Sequence, residues 1–371
     1  MKEKCSTVCA PSQCAGCMAC VDICPKGAVL IQDNAKYMNA VIDSKKCIGC
    51  NACHSVCQQN FPAALHTPRQ WLQGWARENM RSKSSSGGFG QAVMRAMIRH
   101  GGAVAACKWD RGQLLFELFE DESKVDDCIG SKYVKSNPAG IYKAVKQKLT
   151  EGKKVLFVGL PCQVSSLRNY VKDHENLYTV DLICHGAPSV KLLQKSMEEY
   201  GVKPSQVEFI RFRHADKFAV ETQPKRVVPQ SVQDRYTMAF LHGISYTENC
   251  YSCRYAQVDR VGDLTIGDSW GTEMQEELSK GVSLILCQSD KGARLLDWVD
   301  FQFFPVNTEI SIQQNKQLQR PSAMPQERNK FFADLSAGCK FNQAVMKVYP
   351  KECIRQDIKA FLAFTGLWKL K

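Results

Sequence analysis

Two cysteine runs stand out by their spacing, C-A-G-C-M-A-C-V-D-I-C-P from Cys14 and C-I-G-C-N-A-C-H-S-V-C from Cys47. C-x2-C-x2-C-x3-C places three thiolates on one tight loop and a fourth about one helical turn later. Three sulfurs so close suit three corners of a 4Fe-4S cube, and Gly16 and Gly49 leave room for backbone N–H groups to reach them. In a two-cluster arrangement the fourth cysteine of each run crosses to the other cluster. That groups Cys14, Cys17, Cys20 and Cys57 at one site and Cys47, Cys50, Cys53 and Cys24 at the other. Zinc is the competing reading, but zinc sites more often use separated C-x2-C pairs and need only four ligands, the number each run offers alone. Gln58 stands where a second proline could have followed Cys57, with no effect on ligation; Cys5 and Cys9 read as surplus reduced thiols.

A second constellation lies further along. Cys162 and Cys184 each follow an apolar run, Val155–Gly159 and Tyr178–Ile183, of the kind a sheet buried on both faces requires. Open α/β sheets bind ligands beyond the carboxyl ends of such strands, and neighbouring strands would bring the two cysteines close. With the C-x2-C pair Cys250 and Cys253 they make a fourfold site for a third cluster. The plainer alternative is two buried, small, apolar residues. Cys107, Cys128, Cys287, Cys339 and Cys353 show no such spacing and read as structural. S-S-S-G-G-F-G, Ser84 to Gly90, precedes a helical segment from Gln91 to His100, and hydroxyls with glycine N–H groups at a helix start suit a pyrophosphate. A Ser/Gly linker with an N-cap reads equally well. His185, in the turn after Cys184, is a candidate proton donor at a catalytic site, against a purely structural hydrogen-bonding role.

The elements that must position these residues follow from periodicity. Val104–Lys108 and Leu114–Phe119 read as strands joined by a turn at Asp110-Arg111-Gly112; helices follow Cys162 and Ser189, the latter an N-cap closed by Gly201. Strands at Val207–Phe212 and Asp263–Gly267 and a helix near Gly292–Val299 come later. The fold class is an α+β ferredoxin domain followed by an α/β body with a partly parallel mixed sheet. The domains fall at 1–62 for the two-cluster part, 63–80 for a linker, 81–180 for a dinucleotide-binding part of the body and 181–371 for a cluster and substrate part. The final K-A-F-L-A-F-T-G-L-W-K-L-K reads as a terminal helix docked on the core, with a basic membrane-surface helix as the rival.

With 371 residues, 44% of them hydrophobic and 23% charged, the chain is long and apolar enough for two or three packed domains rather than a disordered or stapled module. The 19 cysteines, an odd number, begin without an apolar leader, so the chain reads as a cytoplasmic protein of reduced thiols. No apolar stretch of about 18 residues occurs, which removes a transmembrane helix. The net charge of +12 suggests nucleic acid, yet two clusters at about −2 each and a flavin dinucleotide would cancel about half of it.

These residues resemble the beta subunit of coenzyme F420-reducing hydrogenase and its relatives, in the form with an N-terminal two-cluster ferredoxin domain. The matching pieces are S-S-S-G-G-F at 84–89, G-S-K-Y-V-K-S at 130–136, V-L-F-V-G-L-P-C-Q-V at 155–164, D-L-I-C-H-G-A-P-S at 181–189, C-Y-S-C-R-Y-A at 250–256 and R-V-G-D-L-T-I-G-D-S-W-G at 260–271. The resemblance implies an iron–sulfur flavoprotein oxidoreductase with FAD contacts at Ser85, Ser86, Gly87, Gly88, Lys132 and Tyr133 and a body cluster on Cys162, Cys184, Cys250 and Cys253. A ferredoxin-like donor would supply electrons, and the acceptor would be F420 or another small organic molecule, including intermediates of surface-polysaccharide assembly. No nucleic-acid partner is expected, and the chain would work as a homo-oligomer or within a redox complex. The rivals are a non-catalytic electron relay in a larger complex and, last, a zinc-stabilised scaffold or nucleic-acid binder.

Overall fold

The computed structural model describes residues 6–214 and 217–365, so Cys5 and the last six residues of the basic tail lie outside it. Near the N-terminus, β1 (Val29–Asp33) and β2 (Met38–Ile42) form an antiparallel hairpin. Their alternation turns Val29, Met38, Ala40 and Ile42 inward. Short helices at Ala19–Ile23 and Ala52–Ser55 each carry the third cysteine of a run, Cys20 and Cys53. The hairpin does not bury its face alone. Its inward residues join Ala105, Tyr142, Val145, Phe157, Val164 and Leu167 in one continuous cluster.

The body is built on an eight-stranded sheet. Its strands are β3 (Gln70–Trp75), β4 (Ala103–Asp110), β5 (Gln113–Phe119), β6 (Val155–Gly159), β7 (Leu177–Leu182), β10 (Leu264–Asp268), β11 (Ser283–Cys287) and β12 (Gln302–Pro305), while β8 (Phe209–His214) and β9 (Lys217–Gln223) form a separate hairpin. The sheet order is β12-β3-β11-β10-β7-β6-β4-β5. The central strands β4, β6, β7 and β10 are parallel, and the outer neighbours antiparallel, which is the partly parallel mixed sheet read from the sequence. Val155, Leu156, Phe157 and Val180 are fully buried, as strands covered on both faces must be. The β4–β5 hairpin closes through Arg111 and Gly112, both at positive φ (42° and 96°), the geometry of a two-residue turn that matches strand twist. Ser189 caps the helix Val190–Glu199 by accepting from Lys191 N–H, and Gly201 ends it at φ 71°.

The stretch 63–80, expected as a linker, differs. Its residues 70–75 are β3, paired with β11 and β12 inside the body sheet. Gln73 and Gly74 interrupt the apolar pattern and hide the strand, yet both are built in. Gln73 donates to Pro305 O at 2.8 Å, and a Cβ at Gly74 would sit 1.8 Å from Gln302 O.

Strand β7 is tied to the segment leading into β10 by one buried ion pair and a set of hydrogen bonds. Asp181 on β7 is wholly buried against Arg260 at 2.9 Å, and Arg260 also donates to Leu182 O and Tyr255 O. Asp263 accepts from Thr179 and from Ser289. The R-V-G-D motif is thus an internal clamp. Helices Glu327–Ser336, Phe341–Val348 and Pro350–Phe364 close the far side over Phe331, Phe341, Val345 and Cys353.

Candidate functional site

The two N-terminal runs adopt one backbone twice. Gly16 and Gly49 have φ 66° and 73°, Met18 and Asn51 have φ 60° and 59°, and each pair occupies matching places two and four residues after the run's first cysteine. The left-handed turn points amides at sulfur: Gly49 N–H reaches Cys47 Sγ at 3.4 Å, and Gly16 N–H hydrogen-bonds to Cys14. The sulfurs then group crosswise. Cys14, Cys17, Cys20 and Cys57 line one narrow hollow; Cys24, Cys47, Cys50 and Cys53 line a second of about 350 Å³. The fourth cysteine of each run faces the other run's loop. Among the described residues no three His, Cys, Asp or Glu side chains close on a point suited to a single ion. Cys9 joins the first hollow, where its hydrogen bonds to Cys14 and Cys57 push its own thiol up and hold theirs down, to about 7 and about 6. Spacing gave no hint of Cys9. It arrives because Val8 N–H bonds to Ala40 O on β2.

Cys162 opens the helix Pro161–Val171 after β6, and Cys184 follows the adjacent parallel strand β7, so the two meet at the sheet edge as the strand order requires. Cys250 and Cys253 come from a 3-10 turn, Glu248–Ser252, and its C-cap, tied by Thr247 N–H to Ala187 O. Cys184 and Cys253 each interact electrostatically with Cys250, Cys162 interacts with Cys184 and Cys253, and Cys250, Cys162 and Cys184 all act on the ammonium of Lys135. Burial pushes Cys184 up to about 12 and Cys162 well above its ordinary range. Buried thiols such as Cys162 and Cys184 ionise only beside a strongly cationic centre, the kind of partner an iron–sulfur cube would present.

Lys135 and Ser166 join the quartets, and sequence reasoning singled out neither. Lys135, 6% exposed, donates to Ala15 O at 2.8 Å inside the first cysteine loop while facing the body quartet and Cys14. Ser166 lies one helical turn beyond Cys162 and donates to Cys17 Sγ at 3.0 Å. Their only sequence signal is position: Lys135 within G-S-K-Y-V-K-S, Ser166 four residues after Cys162.

Beside the body quartet a cleft of about 280 Å³ opens at the ends of β6, β7 and β10. Ser84, Ser85, Ser86, Gly88, Lys132 and Tyr133 line it, as do Cys184 and His185. Gly87, expected to contact a cofactor, does not line it; a Cβ there would fall 2.2 Å from Gly74 O, so Gly87 serves the packing of β3. At one end, helix Phe89–Arg99 begins at Gly88 with no side-chain cap, leaving its first amides for a ligand. Gln91 is 3% exposed, and its Oε1 has no hydrogen-bond partner among the described residues. Lys132 Nζ donates to the carbonyls of Cys128, Ile129 and Gly130, and burial lowers its pKa. At the other end Tyr133 stacks on Phe240 at 4.4 Å, and Arg213, paired with Asp268 at 2.5 Å, lies over Trp270. His185 is exposed at the mouth of the cleft, and the partial loss of water around its ring lowers its pKa, which disfavours the charged imidazolium. Cys107 and Cys128, read as structural, form part of the cleft wall. An uncapped helix start, an orphaned acceptor, a lysine and an aromatic wall fit a dinucleotide whose phosphates lie at the glycine end.

Residues 152–302 match the family described as the C terminus of the coenzyme F420 hydrogenase/dehydrogenase beta subunit, and residues 13–61 match the 4Fe-4S dicluster domain. A chain of the F420-reducing NiFe hydrogenase complex from Methanosarcina barkeri, from a xenon-derivatised structure, aligns with 69% of this chain and 90% of its own length. The TM-score is 0.50 at 17% identity, a likeness of fold. Among curated proteins none matches the chain.

Proposed function

We propose that this chain, an iron–sulfur protein of the F420 hydrogenase/dehydrogenase beta-subunit family with an N-terminal dicluster domain, is a flavin-dependent oxidoreductase. It takes single electrons from a ferredoxin-like donor and delivers them in pairs to a small organic acceptor, F420 or a molecule of comparable chemistry. The eight cysteines of the two runs would hold two 4Fe-4S clusters, and Cys162, Cys184, Cys250 and Cys253 a third. The observation that carries the reading is Cys184: it belongs to the body quartet and is also a wall of the cleft. A redox centre on that quartet and a cofactor in the cleft would share one boundary.

Bound there, clusters supply one-electron steps and FAD converts them to hydride chemistry. The chain's own residues do the rest. Ser85 and Ser86 are fixed by bonds to Ser131 N–H and Val282 O, which keeps the loop shaped before any ligand arrives. Gly88 and the first amides of its helix receive phosphate oxygens, and Lys132 adds a cation at the same end. His185, its charged form disfavoured and its backbone held by Ser322 donating to its carbonyl, would be placed to take a proton at the substrate and return it.

Anaerobic reconstitution followed by iron, sulfide and flavin assay tests this reading. The expected result is about twelve iron atoms and one flavin per chain, with reduction by dithionite-reduced ferredoxin and reoxidation by F420 or another small organic acceptor. Protein with zinc alone, or with neither iron nor flavin, would sink it. A relay reading has one observation in its favour, since the M. barkeri chain comes from a multi-subunit hydrogenase complex. Tightly bound flavin with steady-state turnover of an added small molecule separates the enzyme from the relay.

A further inference from the structure

Helix Pro350–Phe364 is held to the body by one side only. Cys353 is completely buried, Asp357 pairs with Arg235 at 2.6 Å, Glu352 meets His242 at 2.6 Å, and Gln356 accepts from Gln233 N–H. The opposite side is open. Ile354, Ile358, Phe361 and Phe364 are 52%, 55%, 64% and 89% exposed.

At about 100° per residue, Ile354, Ile358 and Phe361 form a single stripe, and Lys351, Arg355 and Lys359 run beside it one turn apart. Both carboxylates of the helix, Glu352 and Asp357, are half exposed but already paired to the body, with His242 and Arg235, while Lys351 and Arg355 lie at exposed positions. Aliphatic and aromatic groups exposed together in water are costly, and a cationic flank whose neighbouring acids are already paired favours a negatively charged cover. The sequence continues Leu367, Trp368, Lys369, Leu370 and Lys371, residues outside the described structure with the same mixture of apolar and basic types.

We propose that this helix lies in the plane of an anionic lipid surface, its apolar stripe at the level of the acyl boundary and Lys351 and Arg355 among the headgroups. No helix of the described residues is long and apolar enough to cross a membrane, so the attachment is peripheral. The basic row selects a bilayer surface over a neutral protein groove, because each lysine or arginine near an anionic leaflet adds attraction that a neutral groove does not. The inference is independent of the redox reading; it needs neither cluster nor flavin.

Co-sedimentation of the full chain with vesicles tests it. Phosphatidylcholine vesicles containing phosphatidylglycerol are expected to bind it about tenfold more tightly than phosphatidylcholine alone, with the difference falling as salt rises. Ile358→Glu with Phe361→Glu should abolish binding, and Lys351→Glu with Arg355→Glu should remove the preference for phosphatidylglycerol. All four positions are exposed, so an unchanged thermal transition checks the fold of each variant. Two results would overturn the proposal. One is vesicle binding of the wild type no stronger than that of the Ile358→Glu/Phe361→Glu chain. The other is a dimer that binds no vesicles and dissociates on those same substitutions, which would make the stripe a contact between copies.

Discussion

At the scale of single residues, Lys135 is a buried charge held between two groups of cysteines. It is buried, its ammonium donates to a carbonyl, and it faces cysteines of two quartets. A fixed positive charge in a water-poor site favours the reduced, more negative state of a nearby cluster, and little salt reaches it to screen the effect. Lys135→Met is therefore expected to lower the midpoint potentials of the proposed body cluster and of the cluster proposed on Cys14, Cys17, Cys20 and Cys57, with Lys135→Arg restoring them. Redox titration followed by electron paramagnetic resonance reads this directly; full iron content with unmoved potentials would refute it. Ser166→Ala removes one hydrogen bond to Cys17 and should lower only the N-terminal potential. Residue-scale legibility followed covalent proximity. The runs were readable because their cysteines lie within a few residues of each other, whereas Cys9, Lys135 and Ser166 reach the quartets only through tertiary packing.

Among the elements, the parallel strands β6 and β7 were visible as apolar runs ending in cysteine turns, since burial on both faces forces a composition that sequence displays. Strand β3 was not visible. Its central Gln73 is buried but satisfied by Pro305 O and Ser269 Oγ, and Gly74 is there to let β12 approach, so neither residue carries a strand's ordinary signature. Gly74→Ala should cost about 2–3 kcal/mol, because the new methyl meets the Gln302 carbonyl within the sheet. Chemical denaturation measures it, and a variant as stable as the wild type would show that β12 can give way. Arg260→Met is expected to cost more, about 3–5 kcal/mol, by leaving Asp181 charged and unpaired in the core; Arg260→Met combined with Asp181→Leu should recover part of that loss.

For the whole molecule, the consequential feature is that the dicluster part has no separate core. The sequence suggested a free-standing domain and a linker, but the inner face of β1 and β2 packs against Tyr142, Phe157 and Leu167, and polar contacts reinforce the junction. Asp22 accepts from Gly140 and Tyr142 N–H at the start of the helix Ile141–Thr150, Tyr142 donates to Cys17 O, Tyr255 donates to Gln58, and Lys36 O takes bonds from Glu248 and Arg328. One unit borrows the other's helix cap, and the loop bearing Cys250 is tied to the hairpin turn. Loss of the N-terminal clusters should then destabilise the body as well. Removing iron by chelation under reducing conditions is expected to lower a single, cooperative thermal transition monitored at the body's tryptophans, rather than leave a body transition at its original temperature beside a melted N-terminal segment. Asp22→Ala, by uncapping the helix across the junction, should shift that same transition by about 1 kcal/mol of stability without changing its cooperativity. Two resolved transitions in the holoprotein would mean that the shared core does not couple the units, and that electron transfer between their quartets depends on a docking equilibrium instead of a fixed distance.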